Sequence, residues 1–179
     1  PKFSQTESNI AEAIYNHIGE NITLRYSQSQ GYSSPVQLID LDGDEKDEAI
    51  VFYYAPNKGT NIRMAVLSYN GDRWDIIADK EGMGTDVFYF STAEFKHLST
   101  KQILVGYLSS NIGENFFVTY FTDPSQNIDD YVESCQDIVV GDVTYNGYED
   151  IILTNRTADG RIRLRSLKLE ENNTYKVVG

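Results

Sequence analysis

The chain has 179 residues, 40% of them hydrophobic and 23% charged, with a formal net charge of −12. That is enough apolar chain for a folded core, on a surface too acidic to suit nucleic acid or anionic lipid, whose phosphates require Lys and Arg. One cysteine, Cys135, excludes an internal disulfide, and there is no run of 18 apolar residues to span a membrane.

Residues 4–18 are predicted to form a helix. Ser4 and Glu7 have the spacing of a capping box, Ile10, Ile14 and Ile18 recur on one face, and Gly19 stops it. His17 lies near its C-terminal end, where positive charge is favoured, and reads as a surface residue. A strand at 22–26 and a polar loop at 27–35 follow. Val36 to Ile39 and Ala49 to Tyr54 then bracket an acidic stretch, Asp40-Leu41-Asp42-Gly43-Asp44-Glu45-Lys46-Asp47-Glu48.

Like charges packed this closely repel, and a hard cation relieves them. Calcium takes six to eight oxygens from carboxylates, carbonyls and water. With Asp40 as position 1, side-chain oxygens fall at Asp40, Asp42, Asp44 and Glu48 (positions 1, 3, 5 and 9), and the Lys46 carbonyl falls at position 7. An EF-hand would need Gly at position 6, Glu at position 12 and helical flanks. Here those positions hold Glu45 and Val51, and the flanks are β-branched and aromatic. The stretch therefore reads as a metal loop at the tip of a β-hairpin, against the alternative of a solvated acidic turn.

Beyond a turn at 56–59, strands are expected at 62–69 and 73–78, joined by Asn70-Gly71, a strong hairpin signal. Alternation places Trp74, Ile76 and Ala78 on one face of the second strand and Asp75, Ile77 and Asp79 on the other. Further strands are expected at 86–90, 102–107, 116–121, 138–140, 150–153, 162–169 and 175–178, with a turn at Asp123-Pro124. A dozen short strands and one helix argue for an antiparallel β architecture.

Three stretches align as an internal repeat, beginning at Glu48, Gln102 and Asp150. The units cover about 22–82, 83–134 and 135–179, each about the size of one four-stranded propeller blade. The expected fold is mainly β: three blade-like four-stranded antiparallel repeats, a partial or open propeller, with an N-terminal helix, in a single domain spanning 1–179. The third unit has its own loop, with oxygens from Asp142, Thr144, Asn146 and Asp150 and the Tyr148 carbonyl at position 7. It has less ligand charge, so it is expected to bind calcium more weakly; a bare turn held by Asx-type hydrogen bonds is the competing reading. The middle unit has Lys96 and Leu98 where ligands would stand, and His97 reads as a loop residue.

The Asp40–Glu48 loop between strands, with its weaker echo at Asp142–Asp150, resembles the FG-GAP/VCBS repeat of calcium-binding β-propellers. The order of helix, Ile22-Thr23-Leu24-Arg25-Tyr26, acidic loop and Ala49-Ile50-Val51-Phe52-Tyr53 is also similar to lipoproteins on the surface of Gram-positive gut bacteria, mostly of unknown function. The resemblance implies structural calcium, an extracellular or cell-surface location and a lipid anchor upstream of this chain. Opening on Pro1 reads as a mature or trimmed form. Propellers close with at least four blades, so three units imply an open arc or a piece of a longer ring.

The functional expectation is a non-enzymatic binding or scaffold module, its protein or glycan ligand unnamed, with no nucleic-acid partner. Tyr32, Tyr53, Tyr54, Tyr69, Trp74 and Tyr148 are candidates for the module's glycan- or protein-binding face, with core and sheet packing as their competing use. One alternative is a carbohydrate-active enzyme or glycan-binding accessory domain, using paired carboxylates. Another is a surface sensor subunit docking a partner chain. A Cys135–His97 nucleophile pair lacks any recognisable signature.

Overall fold

A computed structural model describes residues 4–27, 34–96, 98–109, 114–121, 129–172 and 174–179. Tyr32, His97 and the Asp123-Pro124 turn lie outside the described residues. The chain divides into two compact units, Pro1–Val87 and Phe88–Gly179.

The first unit opens with α1, Gln5–Ile18. Its ends follow from side-chain chemistry. The Ser4 hydroxyl accepts from the Glu7 N–H at 3.2 Å, and the Glu7 carboxylate accepts from the Ser4 N–H at 2.7 Å, satisfying two orphan donors of the first turn. Gly19 terminates the helix in the left-handed region at φ 76°, its N–H donating to the Tyr15 carbonyl.

Five strands follow: β1 Thr23–Arg25, β2 Val36–Ile39, β3 Glu48–Tyr54, β4 Arg63–Tyr69 and β5 Trp74–Glu81. All pairings are antiparallel. β1 pairs with residues 52–54 of β3 and β2 with residues 48–51. The two short strands thus share one side of β3, and the sheet is four strands wide. One face buries Ala49, Val51, Tyr53, Ala65 and Leu67 with Ile10 and Ile14 of α1. The 3.6-residue spacing of the helix isoleucines and the alternation of the strands each supply half of this core.

β5 departs from simple alternation. Val66 faces Ala78 but Leu67 faces Ile76, so Ile77 is an extra, bulged residue. The bulge moves Asp79 opposite Ala65, onto the helix-facing side with Trp74 and Ile76, and not onto the side of Asp75 as alternation predicts. There the Asp79 carboxylate accepts the Tyr53 hydroxyl at 2.6 Å, lies 3.3 Å from the Arg63 guanidinium and lies 3.3 Å from His17 Nε2 of α1. His17 is exposed, as expected, and also reaches the sheet through Asp79. Burial and the bond to Asp79 push the Tyr53 phenol far above its ordinary range.

Two further sheets follow in order, each a simple up-and-down run of antiparallel neighbours. The second consists of β6 Asp86–Ala93, β7 Gln102–Leu108, β8 Asn115–Tyr120 and β9 Tyr131–Cys135. The third consists of β10 Asp137–Gly141, β11 Asp150–Arg156, β12 Ile162–Leu169 and β13 Tyr175–Val178. The protein is thus mainly β, with three sheets four strands wide and one N-terminal helix. None of the sheets closes on itself among the described residues.

In the second unit Ala93, Phe95, Leu104, Phe117 and Cys135 pack against Ile138, Ile151, Leu153 and Leu167, so the second and third sheets bury one core between them. The Tyr175 ring lies over this seam, 4.7 Å from Tyr131 and 5.8 Å from Phe121. Gly106 permits the close approach: a Cβ there would meet Phe88 Cζ at 2.7 Å and Ile138 Cδ1 at 2.8 Å. β9 is absent from the sequence expectation. Its inward positions are Tyr131, Glu133 and Cys135, and the acid in the middle breaks the apolar alternation. Arg165 of β12 explains that acid, donating to Glu133 Oε1 at 2.8 Å and to Asn155 Oδ1 at 2.6 Å.

Candidate metal centre

The first acidic loop connects β2 to β3. The register Val36↔Val51 to Ile39↔Glu48 leaves residues 40–47 as the connection. Leu41 is buried at 3% exposure and anchors the loop from beneath. Its N–H donates to Glu48 Oε2 at 2.9 Å, drawing the first residue of β3 under the loop. Asp40 accepts from the N–H groups of Gly43 at 2.8 Å and Glu45 at 3.1 Å. Asp42 accepts from the Asp44 N–H, and Asp44 from the Lys46 N–H. Each aspartate thus turns the chain by an Asx-type bond, and Gly43 at φ 81° and Glu45 at φ 66° supply the left-handed bends.

This folding brings carboxylate oxygens of Asp40, Asp42 and Glu48 within 4.8 Å of one another. Asp44 is not part of that group, and no contact of the Lys46 carbonyl accompanies it. Glu48 is only 6% exposed. Burial pushes its carboxyl above the usual range, the Leu41 N–H opposes this, and the charges of Asp42, Asp44 and Asp40 push it further up. An ionised Glu48 is therefore uncomfortable without a positive partner. The donor set is all oxygen, and one oxygen each of Asp42, Asp44 and Glu48 is left over by the loop's own hydrogen bonds. These are the properties of a hard-cation site, so the residues present fit calcium.

The second loop, between β10 and β11, has the same frame. The register ends at Gly141↔Asp150, again leaving an eight-residue connection, 142–149. Positions 4 and 6 again have positive φ, here Tyr145 at 55° and Gly147 at 88°. The position 2 N–H of Val143 again donates to the position 9 carboxylate, Asp150, and the position 7 N–H of Tyr148 to the position 5 side chain, Asn146. The electrostatics differ. One oxygen of Asp150 accepts three bonds of 3.0 Å, from the Val143 and Thr144 N–H groups and the Thr144 hydroxyl. Both oxygens of Asp142 accept backbone N–H groups, from Asn146 and Gly147. Here the loop's own donors meet most of the carboxylate charge.

The connection between β6 and β7 also has eight residues, 94–101. Its position 2 is the buried Phe95 and its position 9 the fully buried Gln102. A neutral amide replaces Glu48, its Nε2 donating to the Thr100 carbonyl at 2.9 Å. Cys135 is 1% exposed, and burial pushes its thiol up to about 12, the reverse of what an activated nucleophile requires. The Tyr53–Asp79–Arg63–His17 group was not legible, because the one-residue bulge that assembles it leaves no mark in the sequence pattern. Comparison with known proteins finds no match to this chain among protein-family models, curated proteins or solved structures.

Proposed function

We propose that the protein is a non-enzymatic binding or scaffold module whose first β-hairpin tip holds a structural calcium ion. The convergence of Asp40, Asp42 and the buried Glu48 carries this reading. Calcium would take oxygens from these three residues, from Asp44 and from the Lys46 carbonyl, and would supply fixed positive charge without taking part in a reaction. The second loop, through Asp142, Thr144, Asn146, Tyr148 and Asp150, would bind the ion more weakly, since its carboxylates already have donors. An FG-GAP/VCBS-type open propeller on a Gram-positive cell surface is the setting that the sequence resemblance suggests. Isothermal titration of the chelated protein with calcium tests the site: one tight event is expected, lost in Asp42→Ala and retained in Asp142→Asn. No heat from the wild type, or an unchanged event in Asp42→Ala, would refute it.

The sensor-subunit reading is favoured by a separate observation. The register aligns Val139, Ile152, Ser166 and Val178 across the third sheet. Leu164 and Ile162 continue the same face along β12. On it Val139, Ile162, Leu164 and Val178 are exposed by 46–65%, unusual for a sheet face left in water. Arg156, Lys168 and Lys176 share this face with Asp137 and Asp150, a mixed-charge, partly apolar surface that suits a protein partner. Leu164→Asp should then weaken association with that partner while leaving the calcium titration unchanged.

A further inference from the structure

We propose that the cleft between α1 and the β4–β5 hairpin binds a neutral saccharide, independently of the metal loop. The cleft has a volume of about 330 Å³, at the lower end of ligand-sized pockets. Asn9, Glu12 and Asn16 of α1 form one wall, with Ala13 between them leaving room. These positions recur at helical spacing and so share one stripe. The hairpin forms the other wall with Tyr69, Trp74 and the intervening turn. The two rings lie 5.3 Å apart at 46°, Tyr69 exposed and Trp74 half-buried.

The hairpin wall is held rigid by its own bonds. Asn70 Oδ1 accepts from the N–H groups of Asp72 and Arg73, and Asn70 Nδ2 donates to Asp75. The Tyr69 hydroxyl donates to the Gly71 carbonyl at 3.1 Å, fixing its ring beside the turn. The polar groups of the cleft, by contrast, are left over. Asn9 engages only its carbonyl oxygen, accepting from Gln5, and the side chains of Glu12, Asn16 and Asp72 make no hydrogen bond to another described residue. Arg73 spends its Nε on Asp75.

This combination selects a ligand chemistry. Two carboxylates against one paired guanidinium disfavour an anion. Two amides and a carboxylate on the helix wall disfavour a purely apolar ligand, which would leave them dry. A pyranose ring satisfies both walls: its C–H face stacks on an aromatic ring, and its vicinal hydroxyls donate to Glu12 or Asp72 and pair with the Asn9 and Asn16 amides, which both donate and accept.

Trp74 is the only tryptophan in the chain, so its emission reports on this cleft directly. The full chain is titrated with neutral hexasaccharides of glucose, mannose, xylose and N-acetylglucosamine, and separately with hexagalacturonate and hexalysine, in calcium and again in chelator. The expected result is a saturable, millimolar-range change with at least one neutral sugar in both media. Asn16→Ala and Tyr69→Ala should each weaken it about fivefold or more, the loss of one hydrogen bond or stacking contact, with the far-ultraviolet circular dichroism unchanged. The proposal is overturned if no neutral sugar shifts the emission, if hexalysine or hexagalacturonate is the better ligand, or if both variants respond like the wild type. A sugar response that persists in chelator while calcium titration is silent would separate this site from the metal reading.

Discussion

Glu48 is the residue on which the proposed metal site turns. Its carboxyl is raised above the usual range by burial and by three neighbouring aspartates, so the metal-free folded state holds its proton more tightly than the unfolded chain does. Its contribution is then fully present below the unfolded value, and stability is lost as pH rises through the raised folded value. In chelator, Glu48→Gln should therefore raise the melting temperature at neutral pH. That gain should vanish below about pH 4, near the ordinary glutamate value, and the variant should no longer respond to calcium. Melting curves across pH with and without the ion check both halves. Glu45 offers a second residue-scale test. It sits at φ 66° in a position that the second loop gives to Gly147, and a non-glycine residue there costs about 1–2 kcal/mol. Glu45→Gly should stabilise the metal-free protein by about 1 kcal/mol after the backbone-entropy cost of glycine, read from the urea midpoint at unchanged m-value.

At the scale of elements, the helix, its capping box and most strand positions were legible because each rests on a short-range rule: isoleucines at helical spacing, alternation, Asn-Gly at the hairpin. The first and last eight-residue connections were legible as loops because their acids and glycines have few other uses. Two features escaped for the same reason, that a polar residue faces inward. Glu133 hid β9, since its partner Arg165 lies more than thirty residues away. Asp79 was assigned to the wrong face because the bulge at Ile77 is set by packing and not by local pattern. Asp79→Ala should leave the Tyr53 hydroxyl and Arg63 without their acceptor, costing about 2–3 kcal/mol; a cost below about 0.5 kcal/mol, that of a plain surface change, would contradict the burial of this group. Gly106 marks the other element-scale constraint. Gly106→Ala should cost about 1–3 kcal/mol through overpacking against Phe88 and Ile138, and Phe88→Leu should recover part of it by giving the methyl room. Denaturant unfolding of the single and double variants measures the coupling.

At the scale of the whole molecule, three sheets follow one another in sequence, the second and third as simple up-and-down runs and the first with β1 and β2 sharing one side of β3. The three hairpin connections have one length and three chemistries: three converging carboxylates in the first, a buried amide in the middle one, and two carboxylates that accept loop donors in the last. A net charge of −12 adds a general repulsion that a divalent cation reduces, yet the local prediction is sharper than that, because repulsion alone is relieved by any salt. The most direct measurement is a thermal melt of the chelated protein, repeated with millimolar calcium and with millimolar magnesium at matched ionic strength. If calcium binds the folded loop, a hundredfold excess over its dissociation constant adds about 2.7 kcal/mol, so the melting temperature should rise by about 5–10 °C. Magnesium, which demands a tighter octahedron and keeps its water, should give little. An equal rise with both ions, or no rise with calcium, would contradict a calcium site at Asp40–Glu48 and leave the loop a hydrogen-bonded acidic turn.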